Sequence, residues 1–107
     1  MRAAATNRIF QALGDPTRRA IFERLSRRGE AAVKDLAAGF SVSQPAVSQH
    51  LAALRSAGLV ESRRTGRNSF YRVRRAGLRP LVSWIDRYEI FWRERLAHIN
   101  EVLEELE

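Results

Sequence analysis

Apolar residues recur along most of this chain at helical spacing, and the polar residues between them mark where each helix starts and stops. Val47, Leu51 and Leu54 stand at i, i+4 and i+7 and point one way. Projection at about 100° per residue places Pro45, Ser48, Gln49, Ala52 and Ser56 opposite them. Ser43 is a natural N-cap, and Pro45 falls in the first turn, where a missing N–H costs nothing. The stretch 43–55 therefore predicts a short helix with one apolar face and one small, polar, acid-free face. That second face suits an ordinary solvated surface. It equally suits a DNA major groove, where hydroxyls and amides bond base edges and small residues permit close approach. The flanking segments decide between the two.

Arg8 to Leu13 reads as part of a first helix, starting near Ala3 and stopped by Gly14. Asp15 and Pro16 then start a second that runs to about Arg28, with Ile21, Phe22 and Leu25 as its buried stripe. Arg18 and Arg19 near its start face solvent or phosphate, and both options stay open. Val33, Leu36, Ala37 and Phe40 predict a short third helix whose N-cap, Ala31 or Ala32, is weak by about 1 kcal/mol. A turn over Gly39–Ser43 leads into the helix at 43–55, and the pair makes a helix-turn-helix whose second member reads DNA. After Gly58 come two strands rich in β-branched and aromatic residues, Val60–Arg64 and Ser69–Val73, around a turn at Thr65-Gly66-Arg67-Asn68. Ser69, Tyr71 and Val73 share one face; Phe70 and Arg72 take the other. A basic hairpin directly after a DNA-reading helix is a wing. Arg67 at its tip suits a minor groove, and Arg63, Arg64 and Arg72 suit phosphates; singly, each is also an ordinary solvated strand residue.

The last predicted helix runs from about Leu81 to about Leu106, about 39 Å. Leu81, Trp84, Ile85, Tyr88, Phe91, Trp92, Leu96, Ile99, Val102, Leu103 and Leu106 give it a broad apolar stripe. A body of some eighty residues is too small to cover such a helix, so the remainder is exposed unless a second chain packs on it. A symmetric dimer is the simplest solution. The alternative is a groove for a partner protein or a small apolar effector, bounded by Trp84, Tyr88, Phe91 and Trp92.

Charge sharpens the picture. The net charge is +7, from 18 Arg, one Lys and 12 acids. Residues 61–80 carry +6, whereas residues 81–107 carry −4. A basic middle and an acidic end imply one surface for a polyanion and another held away from it. There is no cysteine, hence no disulfide framework, thiolate metal site or cysteine nucleophile. Two distant histidines and no glycine-rich phosphate loop leave no acid–base or nucleophile set, so an enzyme is not expected. No apolar run approaches the roughly 18 residues of a membrane span, and Met1 to Asn7 is too short and polar for a signal peptide. The expected location is the cytoplasm. With 107 residues the chain suits one domain: helix-turn-helix about 33–57, wing about 60–73, C-terminal dimerisation helix about 81–106.

Asp15-Pro16-Thr17-Arg18-Arg19-Ala20-Ile21, Ser43 to Leu51, Ala57-Gly58-Leu59-Val60, Gly66-Arg67 and Tyr71 together resemble the ArsR-type winged-helix repressors, in the right order and spacing over nearly the whole chain. The resemblance implies a mainly helical winged helix-turn-helix fold with a small β-hairpin, α1-α2-α3-α4-β-β-α5, acting as a dimer. It implies an inverted-repeat operator in double-stranded DNA. Gln44, Ser48, Gln49 and His50 are the candidate base readers, although His50 lies at the edge of the core face and equally suits packing. Ser43, Arg55, Arg63, Arg64, Arg67 and Arg72 are the candidate backbone contacts. Ile9, Phe10, Leu81, Trp84, Ile85, Tyr88, Trp92, Ile99 and Leu103 are the candidate dimer contacts.

Many members of that family sense metal ions. Ala31-Ala32-Val33-Lys34-Asp35-Leu36 lacks the cysteines of one site type. His98-Ile99-Asn100-Glu101 matches half of another, but Asp86-Arg87-Tyr88 has Tyr where the other half needs His. Two ligands at i, i+3 fall short of a tetrahedral zinc site, so no metal or other cofactor is expected. A nonspecific architectural DNA binder and a metal-sensing repressor with an atypical site are the alternatives. The small polar face of the helix at 43–55 argues against the first, since pure backbone binding needs charge there.

Overall fold

Helix α1 spans Arg2–Gly14 and α2 spans Pro16–Arg28 in the computed structural model, which describes residues 2–106. Asp15, between them, is extended, and its carboxylate accepts the Arg18 backbone N–H at 2.9 Å. That bond holds the Asp15 carboxyl below the ordinary aspartate range, because it stabilises the charged form. Ile21, Phe22 and Leu25 of α2 are buried, as their spacing predicts.

Glu30–Ala32 form a short strand, β1. The expected two-stranded wing is therefore part of a three-stranded antiparallel sheet, with β2 at Val60–Thr65, β3 at Asn68–Val73 and the order β1-β3-β2. Three residues are too few to show strand alternation, so β1 left no pattern to detect. Helix α3 is Val33–Ala37, and its N-cap Ala32 makes no side-chain bond. It ends before Phe40, where the spacing had placed its last apolar contact. Gly39, a poor helix former, breaks it, and Phe40 packs from the following turn with the Arg24 guanidinium 4.9 Å from its ring centroid.

Helix α4, Gln44–Ser56, is built as its sequence predicts. Ser43 Oγ accepts the Ala46 N–H at 3.2 Å, and Val47, Leu51 and Leu54 are fully buried. Its C-terminus closes by paired bonds, Leu59 N–H to the Leu54 carbonyl and Gly58 N–H to the Arg55 carbonyl, both at 3.0 Å. This Schellman geometry needs a left-handed residue after the helix, and Gly58 supplies it at φ +77°. Leu59 and Leu54, both buried, supply its apolar contact.

Register assigns the sheet faces. Val60, Ser62 and Arg64 pair with Val73, Tyr71 and Ser69 and share the face of buried Ala31, against the helices. Glu30, Glu61, Arg63, Phe70 and Arg72 take the opposite face. A 3₁₀ turn at Arg75–Leu78 leads into α5, Arg79–Glu105, two residues earlier than expected because Pro80 is accommodated in the first turn. Helix α5 touches the body near its start, where Phe10 meets Trp84 edge-on at 5.1 Å and Trp84 meets Tyr88 at 4.6 Å. It buries no residue fully. The radius of gyration is 18.6 Å, against about 13 Å for a compact chain of this length. The excess is the projecting helix.

Candidate nucleic-acid interface

The outward face of α4 carries Gln44, Pro45, Ser48, Gln49, Ala52, Arg55 and Ser56, all exposed, with Ser43 exposed at its cap. No acid stands among them. Gln44 and Ser48 line one side of a cleft of about 210 Å³, and Lys34, Arg67, Asn68 and Ser69 line others. The helix and the tip of the wing thus meet over one acid-free depression that holds two cations. Lys34 is absent from the sequence-derived site. Its only signal was proximity to the helix-turn-helix, and one lysine on a five-residue helix has no pattern of its own.

The wing arginines divide by strand parity. Arg64 shares the sheet face of Ser69, toward the helices, and Arg67 is at the tip. Among the described residues neither has an ion-pair partner. Arg63 and Arg72 lie on the far face. Arg63 pairs with Glu30 and stacks over Phe70 at 5.2 Å, and Arg72 pairs with Glu61 at 2.6 Å. Their charges are locally balanced, which sequence proximity to the wing did not reveal. His50 is half-buried and turned toward α2, where its Nδ1 accepts from Arg18 Nε at 3.4 Å. The base-reading candidates Gln44, Ser48 and Gln49 share the open face; His50 stands apart from it.

The dimer candidates also separate. Ile9 is 1% exposed and belongs to this chain's own core cluster, whereas Phe10, one residue on, is 43% exposed beside Trp84. Leu81 and Trp84 are half-buried at the root of α5. Ile85, Tyr88, Trp92, Ile99 and Leu103 are exposed along it. Trp84, Ile85, Tyr88, Glu89 and Trp92 border an open, mainly apolar groove of about 540 Å³. Among the described residues, no three His, Cys, Asp or Glu side chains stand where they could hold a metal ion. No helix of the described residues is long and apolar enough to cross a membrane.

A helix-turn-helix whose second helix presents an open polar face, joined to a basic hairpin, defines a winged-helix DNA-binding protein. The comparisons with known proteins agree. The family profile described as "Helix-turn-helix domain" matches residues 13–63. HTH-type transcriptional regulator Rv2034 of Mycobacterium tuberculosis is 43% identical over 98 residues, covering 92% of this chain and 88% of that protein. Transcriptional repressor SdpR of Bacillus subtilis is 33% identical, covering 74% of this chain and 87% of that protein. The solved structure of an ArsR-like transcriptional regulator from Rhodococcus sp. RHA1 superposes with a TM-score of 0.74 at 36% identity, covering 94% of this chain and 93% of that one. The chain belongs to the ArsR family of helix-turn-helix transcriptional regulators, DNA-binding proteins rather than enzymes.

Proposed function

We propose that this chain is a homodimeric repressor of an inverted-repeat DNA operator, built without a metal-sensing site. The observation that carries the reading is the exposed, acid-free face of α4 beside the cleft with Lys34 and Arg67. Gln44, Ser48 and Gln49 reach base edges, where an amide side chain pairs bidentately with adenine and a hydroxyl bonds several bases. Ser43, Arg55, Arg64 and Arg67 hold the backbone and set the register, joined by Lys34. Arg63 and Arg72, paired with glutamates, hold the shape of the wing. The exposed stripe of α5, running from Ile85 to Leu103, packs against its counterpart in a second copy and places two α4 helices on one side of the DNA.

The test is selection of bound sequences from a random duplex pool at about 150 mM salt, near physiological ionic strength. An inverted repeat with half-sites about one helical turn apart is the expected result. Gln49→Ala then relaxes preference at one or two positions, whereas Arg67→Ala weakens all sequences alike and flattens the salt dependence. Salt-sensitive binding with no enriched motif would instead identify an architectural DNA binder.

A further inference from the structure

The polar face of α4 has two edges, and the wing accounts for only one. Along the other edge Ala53, Ser56 and Ala57 border a second cleft, of about 200 Å³, whose remaining lining is Arg8, Gln11 and Ala12 of α1 and Arg18 of α2. The two clefts match. Each is close to 200 Å³, each holds two cations and neither has an acidic residue in its lining. A larger cleft, bordered by Leu25 and Ser26 of α2 and by the sheet, differs: it spans about 810 Å³ and mixes Glu30 and Glu61 with Arg72 and Arg75.

Projection confirms that the clefts lie on opposite sides of the reading face. Taking Pro45 as centre, Gln44 and Ser48 fall about 60–100° to one side, and Ala53 and Ala57 fall about 80–120° to the other. A major groove is about 12 Å wide, so a helix lying in it has one phosphodiester strand on each flank. We propose that Arg8, Gln11 and Arg18 form a second phosphate-binding site, which takes the DNA strand opposite the one held by the wing. This rests on the DNA-reading role proposed for α4.

Asp15, the acid at the start of α2, accepts the Arg18 backbone N–H; the charges of Arg18 and His50 also favour its ionised form, and it lies beside the cleft without lining it. The Arg18 side chain is steadied by His50 Nδ1 at 3.4 Å, which makes His50 a positioning residue for that guanidinium. Arg8 is exposed and, among the described residues, has no ion-pair partner.

The experiment uses the full chain and the duplex recovered by selection, with two readouts: phosphate-ethylation interference and the salt dependence of affinity. In the wild type, interference falls on both strands of each half-site. Arg8→Ala and Arg18→Gln each abolish it on one strand, and Arg67→Ala abolishes it on the other. Each variant lowers the slope of log affinity against log salt by about 0.9 per phosphate contact, about 1.8 for a symmetric dimer. His50→Ala reproduces part of the Arg18→Gln effect, and His50→Gln, which keeps an acceptor for Arg18, restores it. Arg8→Ala makes no demand on the fold and keeps the test decisive if Arg18→Gln misfolds. Unchanged slope and unchanged interference in Arg8→Ala, with Arg67→Ala altered, overturn this site and leave the reading of α4 standing. A wild type that binds no duplex overturns both.

Discussion

Truncating the exposed stripe of α5 tests the dimer with a magnitude the structure supplies. Ile99 and Leu103 are 51% and 54% exposed. Fully burying such a side chain contributes about 1.5–3 kcal/mol, so covering its exposed half contributes about 1 kcal/mol. A two-fold axis counts each position twice, and Ile99→Ala with Leu103→Ala removes four side chains, about 4 kcal/mol in all. At about 1.4 kcal/mol per factor of ten, dimerisation weakens about 700-fold. Sedimentation equilibrium over a concentration series measures this directly, with circular dichroism to confirm an unchanged helix content. Ile90 provides the control. It is 62% exposed, on the same helix, but nine residues before Ile99 and so half a turn away in projection. Ile90→Ala leaves the dimer constant unchanged. DNA binding follows: the double variant loses affinity for the inverted repeat and keeps its affinity for an isolated half-site. An unaltered dimer constant in the double variant refutes the reasoning, as does an equal loss in Ile90→Ala.

Three further outcomes are expected. A Cβ at Gly77 would stand 2.4 Å from the Gly58 carbonyl oxygen, a backbone atom unable to swing aside. Gly77→Ala therefore destabilises by about 1–3 kcal/mol and lowers the melting temperature by about 4–8 °C per kcal/mol; Gly14→Ala, with nothing within 4 Å, raises it slightly. Ser43→Ala removes the α4 cap and costs about 1 kcal/mol, read in the same melts. Asp15, its carboxyl lowered by the Arg18 N–H, stabilises the fold while ionised. The melting-temperature gap between wild type and Asp15→Asn is accordingly full at pH values above about 4, the unfolded aspartate value, and closes as pH falls through the folded one. A gap that persists unchanged into strong acid refutes that assignment.

The chain announced its helices more clearly than its site. Val47, Leu51 and Leu54 repeat over enough turns to show period and direction, and Asp15-Pro16 and Ser43-Gln44-Pro45 mark starts that the structure realises with hydrogen bonds. The short elements were silent: β1 spans three residues and the 3₁₀ turn four, little more than one period of their own patterns and too few for a repeat to show. The site divided along the same line. The outward placement of Gln44, Ser48 and Gln49 was legible because helix geometry alone fixes it. The wing arginines were not separable, because the division depends on register: Arg64 and Arg63 are adjacent in sequence but on opposite faces. Pairing with Glu30, 33 positions away, then decides which of the two is balanced. Ile9 was no easier to place, for a similar reason. It and Phe10 are equally apolar, and only the seating of α1 against α2 and α4 sends one inward.

One junction carries the geometry from α5 to α4. Gly58 and Leu59 close α4, and the same two residues receive the segment before α5: Arg74 donates its N–H to the Leu59 carbonyl at 2.9 Å, and Gly77 lies against Gly58 and Leu59 too closely for any side chain. The start of α5 is thereby fixed to the end of α4 through backbone contacts, with no flexible linker between them. If α5 sets the two-fold axis, this junction sets the distance from that axis to each α4, and hence the half-site spacing. The strictness of the operator then follows from packing far from any base. Perturbing Gly77 shifts the preferred spacing before it shifts the preferred bases, whereas Gln49→Ala does the reverse. Selection on duplexes of varied spacer length separates the two effects, and a Gly77→Ala protein that stays folded and keeps the wild-type spacing preference would refute this route.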